Sequence, residues 1–355
     1  MAADLSVVIC SLNGAAGVDR SLRALAAQTG PAEIEIIVVD DGSTDDTSDI
    51  ARAHGAILIR HPTNLGLAAA RNSGIRAASA PIVAFLDDDC EPEPQWAQGL
   101  LEGYEDDVVG VGGVVLPYAR TGYMLGYLRR HNPLRPLEVD LALSNKLPYR
   151  LYLYLRRQWS SAERRDRRDV FSLVGANMSF RREPLRDTGF DERFRFGGED
   201  FDLCRRLAAQ YPASRLIFTP DASVKHHFKS TLSDTLRRSR AYGRGSARLF
   251  RKWPSMRPTF FPGPILVLAM VVVSIWFPAL LVAAVLLPHL LYPQGLRYTI
   301  TRQRPACLLD AYVELAQETS ADVGFVDGLW RFRRIIPEPR TWSMRSVELR
   351  QESRR

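Results

Sequence analysis

The sequence predicts an α/β protein: a mostly parallel sheet flanked by helices, continued by a C-terminal helical region associated with a membrane. Three observations carry that expectation. Short apolar runs of strand character alternate with helix-like runs through the first ninety residues, a spacing that argues for βαβ units. Several of those runs end in polar or acidic residues, and ligands of such sheets gather at the carboxyl ends of the strands. Beyond residue 264 a tract of 28 residues, 265–292, holds no Asp, Glu, Lys or Arg.

Ser6-Val7-Val8-Ile9-Cys10 reads as the first strand, followed by Ser11-Leu12-Asn13-Gly14 and a helix over about 19–28 with Leu22 and Leu25 on one side. A second strand over 34–39 runs into Asp40-Asp41-Gly42-Ser43-Thr44-Asp45, where a helix starts. Residues 57–60 form a third strand, and Asn64-Leu65-Gly66 leads into an Ala-rich helix over 68–78. The fourth, Val83-Ala84-Phe85-Leu86, delivers Asp87-Asp88-Asp89 before Cys90-Glu91-Pro92 breaks it. Carboxylate oxygens are the hard ligands that Mg²⁺ or Mn²⁺ prefers. Alternate residues of an extended chain point the same way, so Asp87 and Asp89 are expected to share one cation while Asp88 faces elsewhere.

Taken in order, Ser6 to Asn13, Val38-Val39-Asp40-Asp41-Gly42-Ser43, Asn64-Leu65-Gly66 with Ala70-Arg71-Asn72-Ser73-Gly74, and Phe85-Leu86-Asp87-Asp88-Asp89 resemble the motifs of the family 2 glycosyltransferases. The resemblance continues through Val174-Gly175-Ala176-Asn177-Met178-Ser179 and Gly197-Gly198-Glu199-Asp200-Phe201-Asp202, and covers about residues 4–230. It implies a GT-A fold and an inverting transfer from a nucleotide-diphosphate sugar donor. On the donor side it implies Asn13, Asp40, Arg71 and Asp88, with Asp40 accepting a hydrogen bond from the base and Arg71 near the nucleotide. Asp87 and Asp89 would hold the diphosphate through the divalent metal. A capping role at the helix start is the alternative for Asp40, but Asp41, Ser43 and Asp45 suit it equally well, which favours the base contact for Asp40.

Inversion needs one base to take the proton of the acceptor hydroxyl, and a single carboxylate suffices. The resemblance assigns Asp200 to that role, with Glu199 orienting it or the acceptor. Both acids also suit the first turn of a helix over 201–210, where they oppose the macrodipole. Pro220-Asp221-Ala222-Ser223-Val224-Lys225-His226-His227 resembles the strand that brings a His to the metal. Adjacent strand residues face opposite ways, and His226 is assigned as the ligand from its distance to Pro220-Asp221-Ala222.

A chain of 355 residues with 46% hydrophobic and 25% charged residues suits a globular domain with an added apolar segment. The expected division is a catalytic domain over 1–230, a basic connector over 231–261, an apolar hairpin or kinked helix over 262–293, and an amphipathic tail over 294–355. Four scattered cysteines fit a reducing compartment, and Met1-Ala2-Ala3-Asp4 lacks the charged and apolar regions of a signal peptide. The formal charge of +7 is concentrated in Arg pairs (129–130, 156–157, 164–165, 167–168) among aromatic residues, and in a run over 237–252. Such mixtures suit an anionic membrane surface, and no nucleic-acid motif accompanies them. Pro278 divides the apolar tract into two pieces too short to cross a bilayer alone. Cations on both sides (Arg251, Lys252 and Arg257 before, Arg297, Arg302 and Arg304 after) favour a hairpin with both ends in the cytosol. The acceptor expected there is lipid-linked or a glycan. A sugar-phosphate nucleotidyltransferase and an inactive membrane scaffold on the same fold are the alternatives. The first should carry a Gly-rich phosphate loop after the first strand, and the second should have lost Asp89 or Asp200.

Overall fold

A computed structural model of the protein describes residues 3–118, 121–134, 146–159, 166–194, 197–229, 231–254, 261–335 and 337. Arg164, Arg165 and Arg257, the side chain of Arg157 and the segment 338–355, to which the sequence reading also refers, lie outside the described residues.

The first half alternates as expected: β1 (Leu5–Ser11), α1 (Ala15–Ala26), β2 (Ile34–Asp40), α2 (Thr47–Ala53), β3 (Ile57–Arg60), α3 (Leu67–Ala77) and β4 (Ile82–Asp87). β1 lies between β2 and β4, all parallel, and β3 extends the β2 side. Alternation along β1 sends Val7 and Ile9 to one face and Val8 to the other. The first face packs with Leu22, Leu25, Trp96 and Leu100, and the second with Ile75, Phe85, Phe180, Leu203 and Leu207. Both faces are covered by helices, which is why these strands are apolar throughout rather than alternating.

Beyond β4 the sheet departs from the mostly parallel expectation. The chain continues through β5 (Cys90–Pro92), α4 (Trp96–Leu101), β6 (Val108–Pro117), α5 (Tyr123–Arg130), α6 (Leu147–Trp159), β7 (Arg168–Asp169), β8 (Asn177–Arg181), α7 (Arg182–Thr188), α8 (Glu199–Gln210) and β9 (Arg215–His226). The strand order is β3-β2-β1-β4-β8-β6-β9-β5, with β7 on β9. β8 inserts between β4 and β6 antiparallel to both, while β6 and β9 are parallel. The sheet is therefore mixed. A strand's apolar run carries no sign of its direction, which is set by where the long connection between β6 and β8 returns.

Register fixes what meets at the edge. Cys10 lies opposite Asp87, Ser11 opposite Asp40, Asp40 opposite Arg60, Leu86 opposite Asn177, and Cys90 opposite His226. The ends of β1, β2 and β4, the start of β8 and the end of β9 thus converge.

The C-terminal part is helical: α9 (Leu232–Lys252), α10 (Pro262–Val273), α11 (Ala279–Leu291), α12 (Gln294–Arg302), a 3₁₀ turn (Pro305–Leu309) and α13 (Asp310–Arg331). α9 and α13 approach so closely that a Cβ on Gly243 would stand 2.0 Å from the Ala321 carbonyl oxygen, and one on Gly324 2.1 Å from that of Arg240. α13, read from sequence as an amphipathic tail, buries one face in this pairing. Among the described residues no single helix is long and apolar enough to cross a membrane. The charge-free tract is divided into α10 and α11 around Ser274–Pro278, and their side chains are largely outward: Leu268, Ile275, Trp276, Phe277, Val282 and Leu290 are all more than 60% exposed. Lys252, counted among the flanking cations, is instead buried, its Nζ 2.7 Å from both Asp191 and Asp202.

Candidate active site

The loop after β1 is built by Asn13, whose φ of +56° lies in the left-handed region that Asn tolerates better than most residues. Its side-chain oxygen accepts from the Thr44 N–H at 2.8 Å and from the Thr44 hydroxyl, while its own N–H donates to Ser43 Oγ at 2.9 Å. Asn13 ties the β1 loop to the loop after β2. Asp40, at the end of β2, is fully buried. One of its oxygens accepts from the Ser43 N–H at 2.7 Å and the other from the Ser48 hydroxyl, so it caps this turn rather than presenting a carboxylate outward. Its pKa stays below the usual range because those hydrogen bonds outweigh the cost of burial. Beside this loop lies a cavity of about 490 Å³ lined by Gly42, Ser43, Thr44, Arg60, His61 and Pro62.

Arg71 was expected beside the nucleotide, but the structure places it beneath the site, only 2% exposed. It reaches up from α3 to the end of β4. Its Nη1 donates to Glu199 Oε1 at 2.8 Å, and its Nη2 to Asp87 Oδ1 at 3.3 Å and to the Gly175 carbonyl at 3.1 Å. The rings of Phe85 and Phe190 lie 5.8 and 5.4 Å from the guanidinium. One buried cation therefore joins the acid at the end of β4 to the acid that opens α8.

Helix α8 begins two residues before the sequence reading places it. Gly198 adopts φ +91°, a conformation L side chains rarely adopt, and turns the chain so that Glu199 and Asp200 form the first helical turn. Glu199 is buried, and its Oε2 has no hydrogen-bond partner. Burial, helped by the charge of Asp200, pushes its pKa up to about 7 against the pull of Arg71. Asp200 is half-buried. It accepts from the Gly175 N–H at 3.1 Å and the Phe201 N–H at 2.8 Å, bonds that fix its carboxylate at the mouth of the cleft.

The alternation argument for Asp87 and Asp89 fails at Asp88, because β4 stops at Asp87 and residues 88–89 form a turn. Asp87 turns toward Arg71. Asp88 turns toward α1, accepting from the Ser11 hydroxyl; a Cβ on Gly14 would stand 2.1 Å from its Oδ2, so the glycine permits this approach. Asp89 instead meets His226, whose Nε2 lies 3.3 Å from Asp89 Oδ1, and together with Cys90 these side chains form a group with ligand atoms within 4.8 Å of one another. Burial and the charges of Asp87 and Asp88 push the pKa of Asp89 up to about 8. Burial, then the nearby Arg238 and His227 charges, depress that of His226 to about 3, leaving a neutral imidazole. A carboxylate that resists ionisation alone and a neutral imidazole beside it suit a divalent cation, which relieves the repulsion among three adjacent acids. The Cys90 thiol is held protonated by burial and contributes little to a hard cation. His227 points away, its Nε2 2.6 Å from Glu91 and its ring stacked on Tyr118.

Sequence reasoning missed several residues that hold this edge together. Asp41 accepts from the N–H groups of Leu65 and Gly66 and pairs with His61 at 2.7 Å, anchoring the start of α3. Asn177, fully buried, accepts from the Trp96 indole and donates to the Val114 and Ala222 carbonyls, joining β8, β6 and β9. An Asn inside an apolar strand was the available signal, because a buried amide must find partners. Lys252 was hidden by the basic run around it.

Comparison with known proteins follows the same outline. A model of glycosyl transferase family 2 matches residues 6–189, just over half of the chain, and one of glycosyl transferase family group 2 matches residues 151–296. The pre-mycofactocin glycosyltransferase of Mycobacterium tuberculosis (strain H37Rv) is 32% identical over 255 residues, covering 71% of this chain and 48% of that protein. Validoxylamine A glucosyltransferase of Streptomyces hygroscopicus subsp. limoneus is 31% identical over 284 residues, covering 72% and 58%. The chain thus spans about half the length of these curated relatives. Among solved structures, a mannosyltransferase from Pyrobaculum calidifontis in complex with GDP-Man and Mn²⁺ is similar in fold, with a TM-score of 0.55 at 19% identity over 93% of this chain and 88% of that one. With its ordered motifs and a family match over more than half its length, this chain belongs to glycosyl transferase family 2.

Proposed function

We propose that the protein is an inverting glycosyltransferase that moves a sugar from a nucleotide-diphosphate donor to a hydroxyl of a lipid-linked or glycan acceptor at a membrane surface. The observation that carries this reading is the Arg71 bridge, which sets the β4 acids and the Glu199-Asp200 pair in one cleft. The cavity beside the loop after β2 has the volume to take the donor's nucleoside. Asp89 and His226 would hold Mg²⁺ or Mn²⁺, and the bound metal would neutralise charge on the diphosphate. The relatives' transfer reactions and the Mn²⁺ of the structural neighbour support the choice.

Asp200 takes the proton as the acceptor oxygen bonds to the anomeric carbon. The bond from that carbon to the diphosphate oxygen breaks, and its electron pair leaves with the nucleoside diphosphate. Two fixed backbone N–H donors keep Asp200 oriented for this role. Glu199, buried and fixed by Arg71, holds the first turn of α8 and so orients Asp200.

The membrane part of the reading rests on α10 and α11, uncharged, outward-facing and divided near Pro278. At 1.5 Å per residue they are about 18 and 20 Å long, short of a hydrocarbon core of about 30 Å. A re-entrant hairpin fits that length, with the catalytic domain on the cytosolic face.

The test is a panel of nucleotide-diphosphate sugars with Mn²⁺ or Mg²⁺, scored by thermal stabilisation and by nucleoside diphosphate release. One or a few donors are expected to stabilise the protein, and Asp89→Asn to lower turnover by orders of magnitude with folding intact. Formation of nucleoside triphosphate and sugar 1-phosphate on addition of pyrophosphate, in place of nucleoside diphosphate release, would favour a nucleotidyltransferase. Full turnover in excess chelator would overturn the metal's part.

A further inference from the structure

One cation at the cleft has no assigned partner. Arg238, Tyr242, Gly245 and Leu249 recur at helical spacing along α9 and share one face. That face lies on the glycines preceding the two acids of α8. A Cβ on Gly245 would stand 2.7 Å from the Gly197 carbonyl oxygen, one on Gly197 3.8 Å from the Tyr242 ring, and one on Gly198 3.1 Å from Leu249. A turn before Tyr242, the Arg238 guanidinium stands 4.7 Å from the centre of the Phe228 ring, and Phe228 stacks on His226 at 4.1 Å. Arg238 therefore belongs to the same wall as the candidate metal ligands. Among the described residues no carboxylate lies within ion-pair distance of it, and its Nη2 is buried without a hydrogen-bond partner.

A half-buried guanidinium with an unmet donor costs free energy unless an anion completes it. Arg71 is committed to Asp87 and Glu199, and Arg20, although its Nε also lacks a hydrogen-bond partner, has the Glu91 carboxylate at 3.7 Å, an ion pair that Arg238 does not have. The cleft itself is acidic, with Asp87, Asp88, Asp89, Glu199 and Asp200, so the anion comes from a ligand. Guanidinium suits phosphate oxygens, which it engages with two parallel donors. We propose that Arg238 binds the diphosphate of the nucleotide donor at its β-phosphate, the one that carries the sugar and becomes the terminal phosphate of the departing nucleoside diphosphate. This rests on the donor reading above and adds a residue from the C-terminal helices to it. It also makes α9 part of the catalytic apparatus rather than only a link to the apolar hairpin. The growing charge on the leaving diphosphate strengthens the contact during the transfer.

The experiment measures binding of uridine and guanosine mono- and diphosphates to the full chain with saturating Mn²⁺, for wild type, Arg238→Gln, Arg238→Lys and Arg237→Gln. Arg237 is the control, exposed and paired with Asp234. Arg238→Gln is expected to weaken the diphosphate that wild type prefers by roughly ten- to hundredfold, the worth of a charge-assisted contact. Monophosphate affinity should change far less, so the diphosphate-to-monophosphate ratio falls. Arg238→Lys should recover part of the loss, and Arg237→Gln should stay within about twofold of wild type, as exposed ion pairs contribute little. Diphosphate binding unchanged in Arg238→Gln overturns the assignment, as does equal loss of mono- and diphosphate. If Arg238→Gln alters only the dependence on a phosphorylated acceptor, the phosphate is the acceptor's and the assignment fails. A wild type that binds neither diphosphate overturns the donor reading and, with it, the role of Arg238.

Discussion

Replacing Arg71 by Met keeps the length of the side chain and removes the charge that joins the two halves of the site. Three hydrogen bonds are lost, to Glu199, Asp87 and the Gly175 carbonyl. Glu199, almost fully buried, is left without its cation, and breaking a buried pair from one side costs about 3–5 kcal/mol. The penalty depends on pH. Burial already raises Glu199 from its ordinary 4.5 to about 7, so the native state keeps a proton that the unfolded chain releases. Stability from such a group is present below about 4.5 and lost as pH rises toward 7. Without Arg71 the pKa rises further, and the loss continues above 7. Arg71→Met should therefore cost less at pH 5, where Glu199 is neutral and mainly hydrogen bonds are lost, than at pH 8, where the uncompensated carboxylate brings the cost to at least about 3 kcal/mol. Thermal melts followed by circular dichroism at pH 5, 7 and 8 read this as a Tm deficit that grows to roughly 6–12 °C, at about 2–4 °C per kcal/mol. Adding Glu199→Gln should recover most of the deficit at pH 8. A deficit that shrinks with rising pH refutes the reasoning. A double variant no better than Arg71→Met would mean that Arg71 acts mainly through Asp87 and the two Phe rings.

Asp200→Asn should keep nucleoside diphosphate affinity within a few-fold of wild type while losing transfer to the acceptor by orders of magnitude; near-normal product formation would move the base to Glu199. His226→Ala should weaken Mn²⁺ binding, measured by titration calorimetry, by roughly tenfold or more, whereas His227→Ala, which loses contacts to Glu91 and Tyr118, should change it little. Equal effects of the two would remove His226 from the metal. Fractionation of cells should leave the protein with the membranes after a high-salt wash and release it with detergent, because the outward face of α10 and α11 is apolar rather than charged. Recovery in the soluble fraction would end the membrane reading.

Much of the α/β part of the chain was legible because its signals are local. β3 falls on residues 57–60 as read, and β1, β2 and α3 differ by a residue at their ends. Apolar runs buried on both faces and ended by Gly or acid have few other solutions. That only one of His226 and His227 stands beside Asp89 followed from period-two alternation, which β9 maintains to its last residue, while the choice of His226 came from its distance to Pro220-Asp221-Ala222. The same rule failed for Asp87 and Asp89, since it holds only while the chain stays extended and β4 ends at Asp87.

The sequence by itself determined the alternating elements, the acids at strand ends, the Gly197-Gly198 turn before Glu199-Asp200 and the uncharged tract near the end. Each depends on residues within a few positions of one another. Only the tertiary structure decided that β8 runs antiparallel between β4 and β6, that Arg71 is buried between Asp87 and Glu199, that Asp40 caps its own loop, and that α9 lays Arg238 against Phe228, which stacks on His226. These depend on which distant segments share a surface. Burial and pairing, and with them the protonation and reach of every charged group in the cleft, are properties of that shared surface rather than of any residue's place in the chain.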